Sequence, residues 1–134
     1  MHSLVLSYIF ALIPLVLIDG VWLRVIARGF YARSLQGLLA TDVRWLPAIL
    51  FYIFYPIAIS LLVTMPHLKA GTSLTMVFLY GCLLGFTAYA AYDLTNLATL
   101  KNWPLGMSIV DMFWGTFLTG VVSVLASLAI KRWG

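Results

Sequence analysis

Four stretches of this chain, Leu4–Ala27, Leu46–Met65, Thr72–Asn96 and Leu105–Ile130, are each apolar over about the 20 residues a helix needs to cross a bilayer core. Little chain is left between them. Of the 134 residues 63% are hydrophobic and 9% charged, whereas soluble domains are nearer one half and one quarter. A soluble core of this length could not hide so much apolar surface. The expected fold is all-α: one transmembrane domain, residues 1–134, built as a four-helix bundle. The N-terminal run has neither a basic n-region nor a small-residue cleavage site, so it reads as a retained helix. The one cysteine, Cys82, excludes an internal disulfide framework and reads as a small packing residue. The net charge of +4 speaks, on such a chain, to topology and anionic lipid; no nucleic-acid partner is expected.

Within the first span, Pro14 removes a backbone hydrogen bond to the Phe10 carbonyl and is expected to kink the helix. Asp19 and Trp22 follow on one face, and Arg24 and Arg28 mark the exit to water. Phe30 to Ala40 then reads as a short interfacial helix with Tyr31, Leu35, Leu38 and Leu39 on its apolar side. Thr41 and Asp42 are good caps for the second span, and Pro47 falls in its first turns, where a missing N–H is harmless. Pro56 frees the Tyr52 carbonyl in mid-membrane, beside the aromatic run Phe51, Tyr52, Phe54 and Tyr55. Pro66 to Gly71 is expected to be a tight turn that leaves His67 solvated.

The third and fourth spans carry matching rows at four-residue steps. Gly81, Gly85, Tyr89 and Asp93 follow one helix face, and Asp111, Gly115, Thr119, Ser123 and Ser127 follow another. In an antiparallel hairpin centred on Asn102, residues at equal depth have numbers with a constant sum. Asp93 then meets Asp111, Tyr89 meets Gly115, Gly85 meets Thr119 and Gly81 meets Ser123. Large against small at successive levels is what close helix packing asks for.

Span order brings the acids to one end. Asp19, Asp93 and Asp111 each sit roughly 12–15 Å inside the same boundary, at 1.5 Å of rise per residue. Each costs about 2.5–3.5 kcal/mol near mid-helix, so three cost roughly 8–10 kcal/mol before compensation. Protonation, pairing with Arg24 or Arg28, hydrogen bonds to Asn96, Trp22, Trp114 or the tyrosines, or a water-filled cavity would offset this. Carboxylates and an amide suit Mg²⁺ or Ca²⁺, but no ligand spacing supports a metal site, and no cofactor is implied. His2 and His67 belong to the opposite boundary, which argues against His-based catalysis at the acidic end.

The segments YDLTNLATLKNWP and VDMFWGT, with DGVWL in the first span and FY in the second, resemble the small bacterial membrane proteins of domain-of-unknown-function family 2177. The resemblance spans nearly all of the chain. It rests on Tyr92, Asp93, Leu94, Thr95, Asn96, Leu97, Ala98, Thr99, Trp103, Pro104, Asp111, Trp114 and Gly115. Asn102 stands where Gly is expected in many relatives, and both residues tolerate positive φ. The resemblance implies an integral protein of the bacterial inner membrane, with no activity to carry over; relatives are often encoded near lipid-modifying enzymes.

The leading expectation is a site for a lipid-derived or other amphipathic molecule. Asp19, Asp93, Asn96 and Asp111 would hold its polar head or relay a proton. Trp22, Tyr52, Tyr89, Tyr92, Trp103 and Trp114 would form walls, and Arg24, Arg28 and Lys101 a cationic rim. The same three Asp residues are the candidates for acid–base catalysis, should a reaction follow. The competing expectations are a small proton-coupled transporter, which needs a homo-oligomer because four helices make a narrow pathway, and a structural accessory subunit. Arg24, Arg28, Arg33, Arg44 and Lys101 lie towards the acidic end, against Lys69, Lys131 and Arg132 at the other. This bias places the acidic end in the cytoplasm and both termini outside.

Overall fold

The computed structural model describes residues 2–40 and 42–134. Helix α1 runs from His2 to Ile26, α3 from Trp45 to Ala70, α4 from Leu74 to Thr99 and α5 from Leu105 to Trp133. A short helix, α2, spans Arg28–Ser34. Among the described residues there is no strand, and these four long helices are long and apolar enough to cross a membrane. Each of the four reaches beyond the boundaries drawn from hydropathy at one end or both, because a helix continues past its apolar run as long as its backbone hydrogen bonds do.

Three local expectations are corrected. The segment Pro66 to Gly71 is not a tight turn: Met65–Ala70 is helical, with Pro66 in its first turn, and the chain reverses at Gly71 (φ +67°). There the missing side chain makes the left-handed conformation accessible. Asp42 does not cap α3: the cap position is Arg44, in extended backbone with no side-chain cap bond, and Thr41 lies outside the described residues. The helix expected over Phe30–Ala40 is shorter and starts earlier, ending at Ser34, and Leu38 and Leu39 beyond it are exposed. Its Tyr31 turns towards the bundle and not away from it.

Two π-helical turns were not legible in the sequence. Trp22–Ile26 closes with a bond from the Ala27 N–H to the Trp22 carbonyl (2.8 Å), and Ser60–Thr64 has the corresponding bond from Met65 to Ser60. Such insertions rotate the residues that follow relative to those that precede, and they recur at functional sites.

The hairpin of α4 and α5 is the tightest contact of the fold, in the register of constant sum. An added Cβ on Gly81 would lie 2.7 Å from Ser123 Oγ, and one on Gly85 would lie 2.7 Å from Thr119 and collide with the Gly115 carbonyl. A Cβ on Gly115 would enter the ring of Tyr89. Cys82 is held in the same seam, its Sγ 2.6 Å from where a Cβ on Gly120 would stand, in keeping with a packing role. The turn closes through Asn102 at φ +62°, the conformation that Asn and Gly share. Ser73 caps the start of α4 by accepting from the Met76 N–H (3.3 Å).

Helix α1 packs on α5 of this hairpin and on α3. Ala11, Leu15, Tyr55, Ile59, Leu118, Val122 and Ala126 form the buried centre, with Ser7 donating to Ser60 across α1 and α3 (2.9 Å). Helix α3 meets α4 mainly through its Ser60–Thr64 turn. Above that turn, towards Arg44, the two helices diverge.

Candidate functional site

Where α3 and α4 diverge, a cavity of about 900 Å³ opens between them, with α1 and α5 behind it. Its lining includes Asp19, Arg44, Tyr52, Tyr89, Asp111 and Trp114. Small residues make the space: Ala48 on α3, and Ala88 and Ala91 on α4. The size falls in the upper range of small-molecule pockets. Phe51 and Tyr92, on either side, are exposed, so the opening faces sideways, in the direction of the lipid for a bundle that spans a membrane.

Asp19 forms part of the back wall and is 5% exposed. Its Oδ1 accepts from Trp114 Nε1 at 2.9 Å, and its Oδ2 accepts from the Tyr52 hydroxyl. Three spans therefore converge on one carboxylate through neutral donors, whereas the sequence had also allowed Arg24 or Arg28 in that role. Both arginines are exposed. Neutral donors suit the position: a hydrogen bond to a carboxylate is about twice as strong as one between neutral groups.

Asp111 accepts from the Tyr31 hydroxyl at 2.7 Å, and Tyr31 in turn accepts from Trp22 Nε1 at 3.2 Å. Trp22 stacks on Trp114, with ring centroids 4.2 Å apart and planes 8° apart. The two carboxylates are thus linked through a pair of stacked indoles: Trp114 donates to Asp19 directly, and Trp22 donates to the Tyr31 hydroxyl that serves Asp111. Tyr31 lies on α2, outside the spans. Burial, which disfavours the phenolate, holds its phenol above the ordinary range. The protonated phenol therefore contributes its full stabilisation below about pH 10, the free phenol value, and loses it as pH rises further. Tyr31→Phe is expected to cost about 2 kcal/mol at neutral pH, the scale of one hydrogen bond to a charged group. It should also flatten the alkaline loss of stability; parallel unfolding curves for parent and variant above about pH 10 would contradict this.

Asp93 stands behind Asp111 and does not line the cavity. It is 0% exposed, and neither of its oxygens meets a conventional donor. The Asp111 carboxyl is its neighbour across the hairpin, at the depth the constant-sum register gives. An acid buried there beside a second acid, with no donor of its own, is costly and is the least compensated polar group of the cluster. Asp93→Asn keeps the shape and supplies an N–H that can donate to Asp111, and is expected to change thermal stability by less than about 1 kcal/mol, the scale of one neutral hydrogen bond. Asp93→Leu, a larger side chain without a polar atom, should be worse than Asp93→Asn. Equal melting temperatures for the two would argue against a contact between the side chains at 93 and 111.

Not every residue singled out in the sequence reaches the cavity. Asp19, Tyr52, Tyr89, Tyr92, Asp111 and Trp114 line it. Trp22 supports the wall from behind. Trp103 packs edge-on against Tyr92 (5.6 Å between centroids), with its Nε1 buried and unpartnered, and Asn96 lies half-buried one turn beyond Asp93. Arg24, Arg28 and Lys101 are exposed and do not line the opening. The cation that does is Arg44, which sequence reasoning had counted only towards topology. Its place just before Pro47 and the aromatic run of α3 was the available signal. Tyr31 was also missed as a site residue, because its role depends on α2 folding back onto α5. Among the described residues no group of three or more His, Cys, Asp or Glu is placed to hold a metal ion.

The chain matches the family described as "Predicted membrane protein (DUF2177)" over residues 4–128. Neither a curated protein nor a solved structure matches it.

Proposed function

From the premise that the chain belongs to the predicted membrane protein family DUF2177, whose function is unknown, we propose that it binds the polar end of an amphipathic, lipid-derived molecule. The observation that supports this reading is the sideways opening between α3 and α4, with carboxylates at its back and an arginine in its lining. A water-soluble ligand would need an aqueous mouth. A gap between two membrane-spanning helices instead admits a molecule whose tail stays in the bilayer while its head enters among Asp19, Asp111 and Arg44. The aromatic walls supply apolar area, and the few polar groups fix orientation, as in ligand sites generally. The excess of Lys and Arg towards this end supports a cytoplasmic orientation for it.

Native mass spectrometry of protein extracted in mild detergent tests the reading. The parent should retain an amphiphile or show selectivity among added lipids, and Asp19→Asn/Asp111→Asn should lose it. A parent that retains nothing and shows no selectivity overturns the proposal.

A second reading draws on a separate observation, the Asp93 carboxyl buried without a donor beside Asp111. Intramembrane carboxyls that exchange a proton are the usual couplers of transport, and a bundle this small would transport as an oligomer. That reading expects pH-dependent flux in liposomes that disappears in Asp93→Asn. Flux unaffected by the substitution removes it.

A further inference from the structure

The polar groups around the cavity differ in sign and depth, and this narrows the ligand beyond its being amphipathic. Asp19 and Asp111 come from the back wall, on α1 and α5, and Asp19 is almost wholly buried. Arg44 is exposed at the cap position just before α3. Tyr52, which donates to Asp19, follows Arg44 by eight residues on that helix, about 12 Å along the axis. An extended arginine side chain covers part of that span. A ligand filling the cavity therefore meets anionic acceptors inside and a cationic donor near the entrance. We propose that the head it fits is zwitterionic: a phospholipid whose phosphate rests on Arg44 and whose primary ammonium reaches Asp19 and Asp111. This rests on the lipid-binding reading above and specifies the class of lipid.

Two further features separate a primary from a quaternary ammonium. Quaternary heads are recognised by cages of aromatic faces, and three of the lining rings already pair with another ring: Trp114 is stacked on Trp22, Phe51 is stacked on Tyr55 with centroids 4.9 Å apart, and Tyr92 meets Trp103 at an interplanar angle of 83°. What Tyr52 and Trp114 direct towards the acidic centre is an O–H and an N–H. The acceptors left for a cation are the remaining lone pairs of the carboxylates, which suit an N–H donor with three hydrogens. Arg44, for its part, offers the planar fork that pairs with phosphate oxygens.

The experiment is a lipid competition read by native mass spectrometry on the full chain. Equal amounts of phosphatidylethanolamine, phosphatidylcholine and phosphatidylglycerol with identical acyl chains compete for the protein. Phosphatidylethanolamine should be retained about tenfold or more over the other two, as expected for one charge-assisted hydrogen bond gained or lost. In a second arm it competes with an alkylamine of matched chain length, which carries the ammonium without the phosphate. The parent should favour the phospholipid, and Arg44→Gln, an exposed change that leaves the bundle intact, should level the two. Equal retention of phosphatidylcholine or phosphatidylglycerol, or an Arg44→Gln protein with unchanged preference, overturns the zwitterion assignment and leaves lipid binding standing. Displacement by an equal concentration of water-soluble O-phosphoethanolamine overturns the lipid half of it. Retention of no lipid at all overturns both readings.

Discussion

Gly115→Ala is expected to lower the stability of the protein by about 1–3 kcal/mol, the range for overpacking a closely packed interior. The added methyl enters the ring of Tyr89, which can give way only by leaving the seam and swinging into the cavity it lines. Gly85→Ala should be at least as damaging, because its methyl meets the Gly115 carbonyl, a backbone atom that moves only if the helices separate. Gly106→Ala is the control: nothing lies within 4 Å of its Cβ position, and alanine is the better helix former. Its stability should be unchanged or slightly higher. Thermal unfolding in detergent measures all three, and Gly115→Ala combined with Tyr89→Ala should recover part of the loss. A Gly115→Ala protein that melts with the parent would show that α4 and α5 do not pack in this register.

Asp19→Ala should produce the second large effect, about 2–4 kcal/mol. Removing the carboxylate leaves the Tyr52 hydroxyl and the Trp114 N–H without their acceptor, and each unpaired buried donor costs about 1–3 kcal/mol. The loss should be non-additive with Tyr52→Phe: once the hydroxyl is gone, less remains for Asp19→Ala to orphan. Asp19→Asn keeps one acceptor oxygen and should fall between parent and Asp19→Ala. A double-mutant cycle on chemical unfolding reads the coupling, and a coupling near zero would mean that Tyr52 and Asp19 do not meet.

These two expectations come from different levels of the chain. The close approach of α4 and α5 is legible in the residues alone, because both rows repeat at four-residue steps and a short turn joins them. When two helices are linked by so few residues, depth follows from counting, and the constant sum through Asn102 places Tyr89 against Gly115 and Asp93 against Asp111. The partners of Asp19 were legible only as candidates. Depth put Tyr52, Trp22 and Trp114 near it, but which of them donates depends on how far each helix is turned about its own axis. The π turn at Trp22–Ile26 alters that rotation, and it directs Trp22 to Tyr31 while Trp114 reaches Asp19. Arg44 and Arg28 look alike in sequence, as exposed cations at the ends of apolar runs. Only the divergence of α3 from α4 puts Arg44 beside the cavity.

What the sequence by itself determined was the number of spans, the hairpin and the gathering of three carboxyls at one end. Hydropathy, small-residue spacing and rise per residue are local quantities that survive whatever the neighbours do. The tertiary structure decided the rest: which donor meets each carboxylate, that α2 folds back to bring Tyr31 onto Asp111, and that the space between α3 and α4 opens sideways. Those outcomes depend on helix rotation and separation, which are set by packing among residues far apart in the chain and leave no periodic trace in it.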